Sequence, residues 1–137
     1  MEQIERINKT FEQFESAFAR LNEAVEITPE NTIKRDAVIQ RFEFTYELLW
    51  KLIKKIAQYE KADCYSPKSC FRFAFEMGLV SDEELFADII DARNLTTHIY
   101  SEQEIEKIYV FIKEKIIKAF ADSRGKIKAY LDTANLR

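Results

Sequence analysis

Residues 4–25 read IERINKTFEQFESAFARLNEAV, and the reading of this stretch decides the fold. Its apolar side chains Ile4, Ile7, Phe11, Phe14, Phe18, Leu21 and Val25 recur at alternating steps of three and four. That is the seam of an amphipathic helix and predicts one over about residues 2–27. Such a seam must be covered by another element. Thr28-Pro29 reads as an N-cap with a first-turn proline, so a second helix is expected to start at once, run to about residue 60 and pack antiparallel on the first.

The second helix carries one stripe of Val38, Phe42, Tyr46, Leu49, Ile53 and Ile56 and a neighbouring one of Phe44, Leu48 and Leu52. A helix with two apolar faces reads as the central one. The extra face serves as bundle core or as a subunit interface, with core the favoured reading because cores use the same large side chains. Ser66-Pro67 repeats the cap-plus-proline device and opens a shorter helix that ends at Gly78. Ser81-Asp82-Glu83-Glu84 reads as a capping box for a fourth helix with Leu85, Phe86, Ile89 and Ile90 on its apolar side, a stripe that Arg93 continues. The last helix is expected after Ser101, through Ile105, Ile108, Tyr109, Ile112, Ile116 and Phe120, weakening near Arg124-Gly125. The fold class is therefore all-α, an antiparallel up-and-down bundle of four long helices plus a short one, in a single domain over residues 1–137.

Composition agrees, since 47% hydrophobic and 33% charged residues are interrupted by only two glycines and two prolines, which favours long helices over strands and turns. A formal net charge of -3 predicts no general attraction to nucleic acid or to an anionic membrane, so any phosphate site must be local. Cys64 and Cys70 are too few for a disulfide framework, and the start of the chain is a charged amphipathic run, which together point to the reducing cytoplasm. No apolar run is long enough for a membrane span.

Chemistry concentrates at Arg93-Asn94-Leu95-Thr96-Thr97-His98-Ile99-Tyr100, which holds the only histidine. Five residues of continuous helix advance by about 500°, which would turn Arg93 and His98 about 140° apart. For both to serve one substrate the helix must end between them or bend, and the β-branched Thr96 and Thr97, followed by the capping box Ser101-Glu102-Gln103-Glu104, read as a helix-to-helix junction. Arg93 has an ordinary alternative in a salt bridge to Glu43, Glu47 or Asp91, and a single histidine near a helix end is often only structural. Together, a proton carrier and a bidentate phosphate holder beside a fresh helix N-terminus suit an anionic substrate, although Glu102 and Glu104 can satisfy the same N–H groups. The basic run Lys34-Arg35 to Arg41 reads as a solvated helix face or as a basic wall beside a phosphate. One histidine and two cysteines do not make a zinc site, no Gly-rich phosphate loop exists, and no metal or cofactor is expected.

Arg93, His98 and Tyr100 in the spacing Arg-x4-His-x-Tyr resemble the motif of HEPN-domain proteins, with Asn94 in the polar position after the arginine. With Arg41 to Lys51, Ser66-Pro67 and Phe75 to Leu79, the chain resembles the nucleotidyltransferase substrate-binding protein family, a HEPN branch, over nearly its whole length. The resemblance implies a homodimer that works with a separate minimal nucleotidyltransferase. It implies a toxin-type, metal-independent ribonuclease in which His98 activates a ribose 2′-hydroxyl or protonates the leaving oxygen, Arg93 stabilises the phosphorane and Asn94 orients the site. Tyr100 is then the residue that AMP transfer modifies to silence it. The alternative within the same resemblance is a non-catalytic module that holds a nucleotide or acceptor for the partner subunit.

Overall fold

The computed structural model describes residues 2–98 and 101–135, and these form an all-α bundle. Helix α1 (Glu2–Glu26) buries Ile7, Phe11, Phe14, Phe18, Leu21 and Ala24, the seam read from its spacing. Helix α2 (Thr32–Tyr59) lies along it and also touches α3 (Pro67–Glu76), α5 (Glu102–Phe111) and the π-helical turn Ile112–Ile116, which makes it the central helix. α4 (Glu83–Leu95) packs on α3, and α6 (Ile117–Asn135) continues the last rod back against α1.

The start of α2 differs from the expectation. Thr28-Pro29 lies in the connection, and Asn31 is the N-cap, its side chain accepting from Lys34 N at 2.9 Å. Asparagine is as good a cap as any residue, so the helix waits for it while the five intervening residues reverse the chain. Pro67 and Ser66 act as expected, the Ser66 hydroxyl accepting from Ser69 N in a capping box. Asp82 rather than Ser81 caps α4. Gly78, at φ 79°, closes α3 in the left-handed region that other residues rarely adopt.

The expected weakening at Arg124-Gly125 does not occur. α6 runs through it because Ile127 and Leu131 continue the buried stripe, which outweighs the roughly 1 kcal/mol that a helical glycine costs. Arg124 also pairs with Glu15 of α1. The second apolar face of α2 is only partly core: Leu52 is buried and Leu48 half-buried, but Phe44 stays 58% exposed. The cysteines are a further correction, because the α2–α3 turn brings Cys64 and Cys70 within 5.1 Å between Cα atoms and they are joined as a disulfide.

Phe120 is the hub of the core. Fully buried, it meets Phe14 and Phe18 of α1, Phe42 of α2 and Phe86 of α4 at centroid distances of 6.2–6.4 Å. It thereby fixes α4, and the chain end that follows it, relative to α2. No helix among the described residues is long and apolar enough to cross a membrane.

Candidate functional site at the α4–α5 junction

Helix α4 ends at Leu95, between Arg93 and His98, so of the two outcomes the spacing allows, an end or a bend, the chain takes the end. The reason is local. Thr97 Oγ1 donates to the Asn94 carbonyl at 2.7 Å and so takes up one of the last carbonyls of the helix, while Thr96 Oγ1 lies 2.7 Å from the Arg93 carbonyl. His98 N donates to Leu95 O at 3.2 Å, completing the turn.

Arg93 is held from two sides. Its Nη1 donates to Glu43 Oε2 at 3.0 Å, and its Nη2 lies 3.7 Å from Glu47 Oε1. Thr96 Oγ1 sits 2.8 Å from the same Glu43 oxygen and accepts from Arg93 Nη1 at 3.1 Å, so arginine, threonine and carboxylate close a triangle. The side chains are 20% exposed at Arg93 and 27% at Glu43, which makes this a half-buried pair. Two of the three acids expected as salt-bridge partners are thus used. Among the described residues nothing accepts from the buried Arg93 Nε.

A cavity of about 230 Å³ opens beside this triangle, lined by Asp36, Ile39, Gln40 and Glu43 of α2, by Leu95, Thr96 and His98, and by Ile105 and Ile108 of α5. His98 and Glu43 share its wall. Arg93 does not line it but stands behind Glu43, one hydrogen bond from the space. Asn94 is exposed and outside the lining, and Tyr100 lies outside the described residues. A larger groove of about 670 Å³ runs between α1 and α2 past Lys9, Arg20, Arg41 and Phe44. It contains none of Arg93, Asn94 and His98.

The floor under the junction is built by groups whose burial the sequence pattern did not disclose. Lys34 and Arg35 are 5% and 8% exposed, not a solvated face. Arg35 Nη1 donates to Glu102 Oε2 at 2.8 Å, clamping the first turn of α5 to α2, with Glu106 at 3.6 Å. Glu102 therefore answers Arg35, while the Ser101 hydroxyl accepts from Glu104 N at 3.3 Å. Lys34 donates to Glu30, which also accepts from the Tyr109 hydroxyl at 2.7 Å. These bonds hold the Glu30 carboxyl below its ordinary value and the Lys34 ammonium above its own. Burial, then the bond to Glu30, pushes the Tyr109 phenol up.

The profile of proteins described as nucleotidyltransferase substrate binding protein like matches residues 9–131. The chain belongs to that family. A relative, the probable ribonuclease HepT of Haemophilus influenzae, is 31% identical over 86 residues, a match that covers 59% of this chain and 59% of that protein. The chain thus spans less than two thirds of that relative. Among solved structures, ttk003001694 of Thermus thermophilus superposes with a TM-score of 0.74 at 31% identity, covering 82% of this chain and 97% of the other. HI0074 of Haemophilus influenzae, whose structure is described as revealing the fold of a substrate binding domain of a nucleotidyltransferase, superposes with a TM-score of 0.65, covering 91% of this chain and 98% of its own. At 22% identity that second likeness speaks for the fold alone.

Proposed function

We propose that this family member is the HEPN-type subunit of a two-component system with a minimal nucleotidyltransferase, and that it is a toxin-type, metal-independent endoribonuclease. The observation that carries the reading is the junction: His98 and Glu43 line one cavity and Arg93 is tied to its rim through Glu43. A proton carrier, a carboxylate and a permanent cation are the groups that phosphodiester transesterification uses. The likeness to a probable ribonuclease supports the same chemistry. The cavity is smaller than the roughly 300–1,000 Å³ of drug-sized ligand sites, which suits a ribose and its phosphate with the base outside.

In this reading His98 moves the proton, Arg93 stabilises charge on the phosphorane, and Asn94, exposed beside them, orients the RNA from the rim. The nucleotidyltransferase silences the enzyme by transferring AMP to the Tyr100 hydroxyl. The chain acts as a homodimer, for which the exposed Phe44 beside half-buried Leu48 offers apolar contact. Purified protein incubated with RNA in EDTA should cleave it, and His98→Ala should not. Undiminished cleavage by His98→Ala refutes the role of His98.

One observation favours the second reading, a binding module for the nucleotidyltransferase. Arg93 is already engaged by Glu43 and Glu47, as a structural arginine is. Absence of cleavage by unmodified protein, together with binding of a nucleotide that Arg93→Ala abolishes, would select it.

A further inference from the structure

We infer that Glu43 is the general base of the site and His98 the general acid, a division of labour that rests on the ribonuclease reading above. Cleavage by transesterification moves two protons at once, one off the 2′-hydroxyl and one onto the departing 5′-oxygen. Each protomer brings a single histidine, and one imidazole does not take and give a proton in the same step. Within one protomer, Glu43 is the carboxylate that Arg93 and Thr96 hold on the wall His98 shares, and it supplies the second group. Its carboxylate shares the cavity wall with His98 and reaches that wall from the opposite element, α2 against the α4–α5 junction.

The bonds around Glu43 add a consequence. Oε2 accepts from Arg93 Nη1 at 3.0 Å and from Thr96 Oγ1 at 2.8 Å, so the carboxylate is held in one orientation by two donors. When Glu43 takes the 2′-hydroxyl proton, O2′ bonds to phosphorus, the phosphorus–O5′ bond breaks, and imidazolium His98 gives its proton to O5′. The products are a 2′,3′-cyclic phosphate and a 5′-hydroxyl, with Glu43 protonated and His98 neutral until both exchange with water. Protonation also removes one of the two carboxylate charges that Arg93 was answering, leaving Glu47 at 3.7 Å. More of the guanidinium's charge is thereby turned to the phosphorane at the moment its negative charge develops. An arginine doubly paired in the resting state and partly released by the proton transfer reconciles the ion pair with catalysis.

Among the described residues, the charged groups around Glu43 are Asp36 and Glu47 on its own helix, Arg93 from α4 and His98 from the junction, whereas α5 presents Ile105 and Ile108. A general base paired with a general acid gives a bell-shaped pH–rate profile, one limb for each group.

The test compares two substrates for the full-length protein: an RNA dinucleotide, and uridine 3′-(4-nitrophenyl phosphate), whose leaving group needs no protonation. Glu43→Gln should lose about 10²–10⁴-fold on both, and the acid limb of its pH–rate profile should vanish. His98→Ala should lose as much on the dinucleotide but recover to within about tenfold of wild type on the nitrophenyl ester. Glu43→Asp, which keeps a carboxylate, should retain the acid limb at a lower plateau, a result that misfolding or a displaced Arg93 does not produce. Glu43→Gln within threefold of wild type on the dinucleotide, or rescued by the nitrophenyl ester as His98→Ala is, overturns the assignment and leaves the ribonuclease reading standing. Wild-type protein that cleaves neither substrate overturns both.

Discussion

Replacing Glu43 and Arg93 by alanine, singly and together, measures how firmly the junction is held. The two side chains meet at 3.0 Å and are 27% and 20% exposed. Between unit charges about 4 Å apart at an effective dielectric of 20 the attraction is about 4 kcal/mol, most of it offset by lost hydration. A hydrogen bond to a charged group nets about 1.5–3 kcal/mol, and Glu47, 3.7 Å from the guanidinium, takes over part of it when Glu43 is gone. The coupling should therefore be about 1–2 kcal/mol, and Glu43→Ala alone should cost about 2 kcal/mol because Thr96 also loses its acceptor. At roughly 4 °C per kcal/mol for a chain of this size, that single change lowers Tm by about 8 °C. Thermal and urea unfolding followed by far-ultraviolet circular dichroism, at fixed protomer concentration, gives the four stabilities of the cycle. Additivity within about 0.3 kcal/mol would show that the pair is not formed in solution, and the account of how Arg93 is positioned would fall with it.

Phe120→Ala should cost about 3–5 kcal/mol, because four neighbouring rings lose their common partner and cannot collapse into the space together. A Tm drop of under 5 °C would contradict its role as the hub. For pH, the Lys34 and Tyr109 bonds depress the Glu30 carboxyl below 4.5, so its contribution to stability is in force above that pH and is lost as pH falls through the lowered value. The Tm gap between wild type and Glu30→Gln should consequently narrow between pH 6 and pH 3, and a gap that widens on acidification refutes the assignment.

What could be read from sequence divides along the range of the interactions. The α1 seam, the caps at Ser66 and Ser101 and the end of α4 among Arg93, Thr96 and His98 depend on residues within a few positions of each other, and the local pattern sufficed. Thr28-Pro29 misled because it has the form of a helix start, and only the competing cap Asn31 moved the boundary. Gly125 misled because its local cost was visible, whereas the burial of Ile127 and Leu131 was not. Lys34 and Arg35 looked solvated because a basic pair on a helix usually is. Arg35 finds Glu102 67 positions away, a distance that no periodicity spans. The junction divides the same way: the break between Arg93 and His98 followed from helix geometry, while the interposition of Glu43 between Arg93 and the cavity is a tertiary fact.

The central claim is that the cavity shared by His98 and Glu43 cuts RNA through the neighbouring 2′-hydroxyl without a metal. The most direct measurement is the chemical form of the cut ends. A single-site RNA oligonucleotide, and its copy carrying one 2′-deoxynucleotide at the cut position, are incubated with the protein in EDTA and the fragments weighed by mass spectrometry. The account predicts a 2′,3′-cyclic phosphate and a 5′-hydroxyl from the all-ribose strand, and no cleavage at the deoxy position. Cleavage of the deoxy strand, or ends that carry a 3′-hydroxyl and a 5′-phosphate, would contradict it.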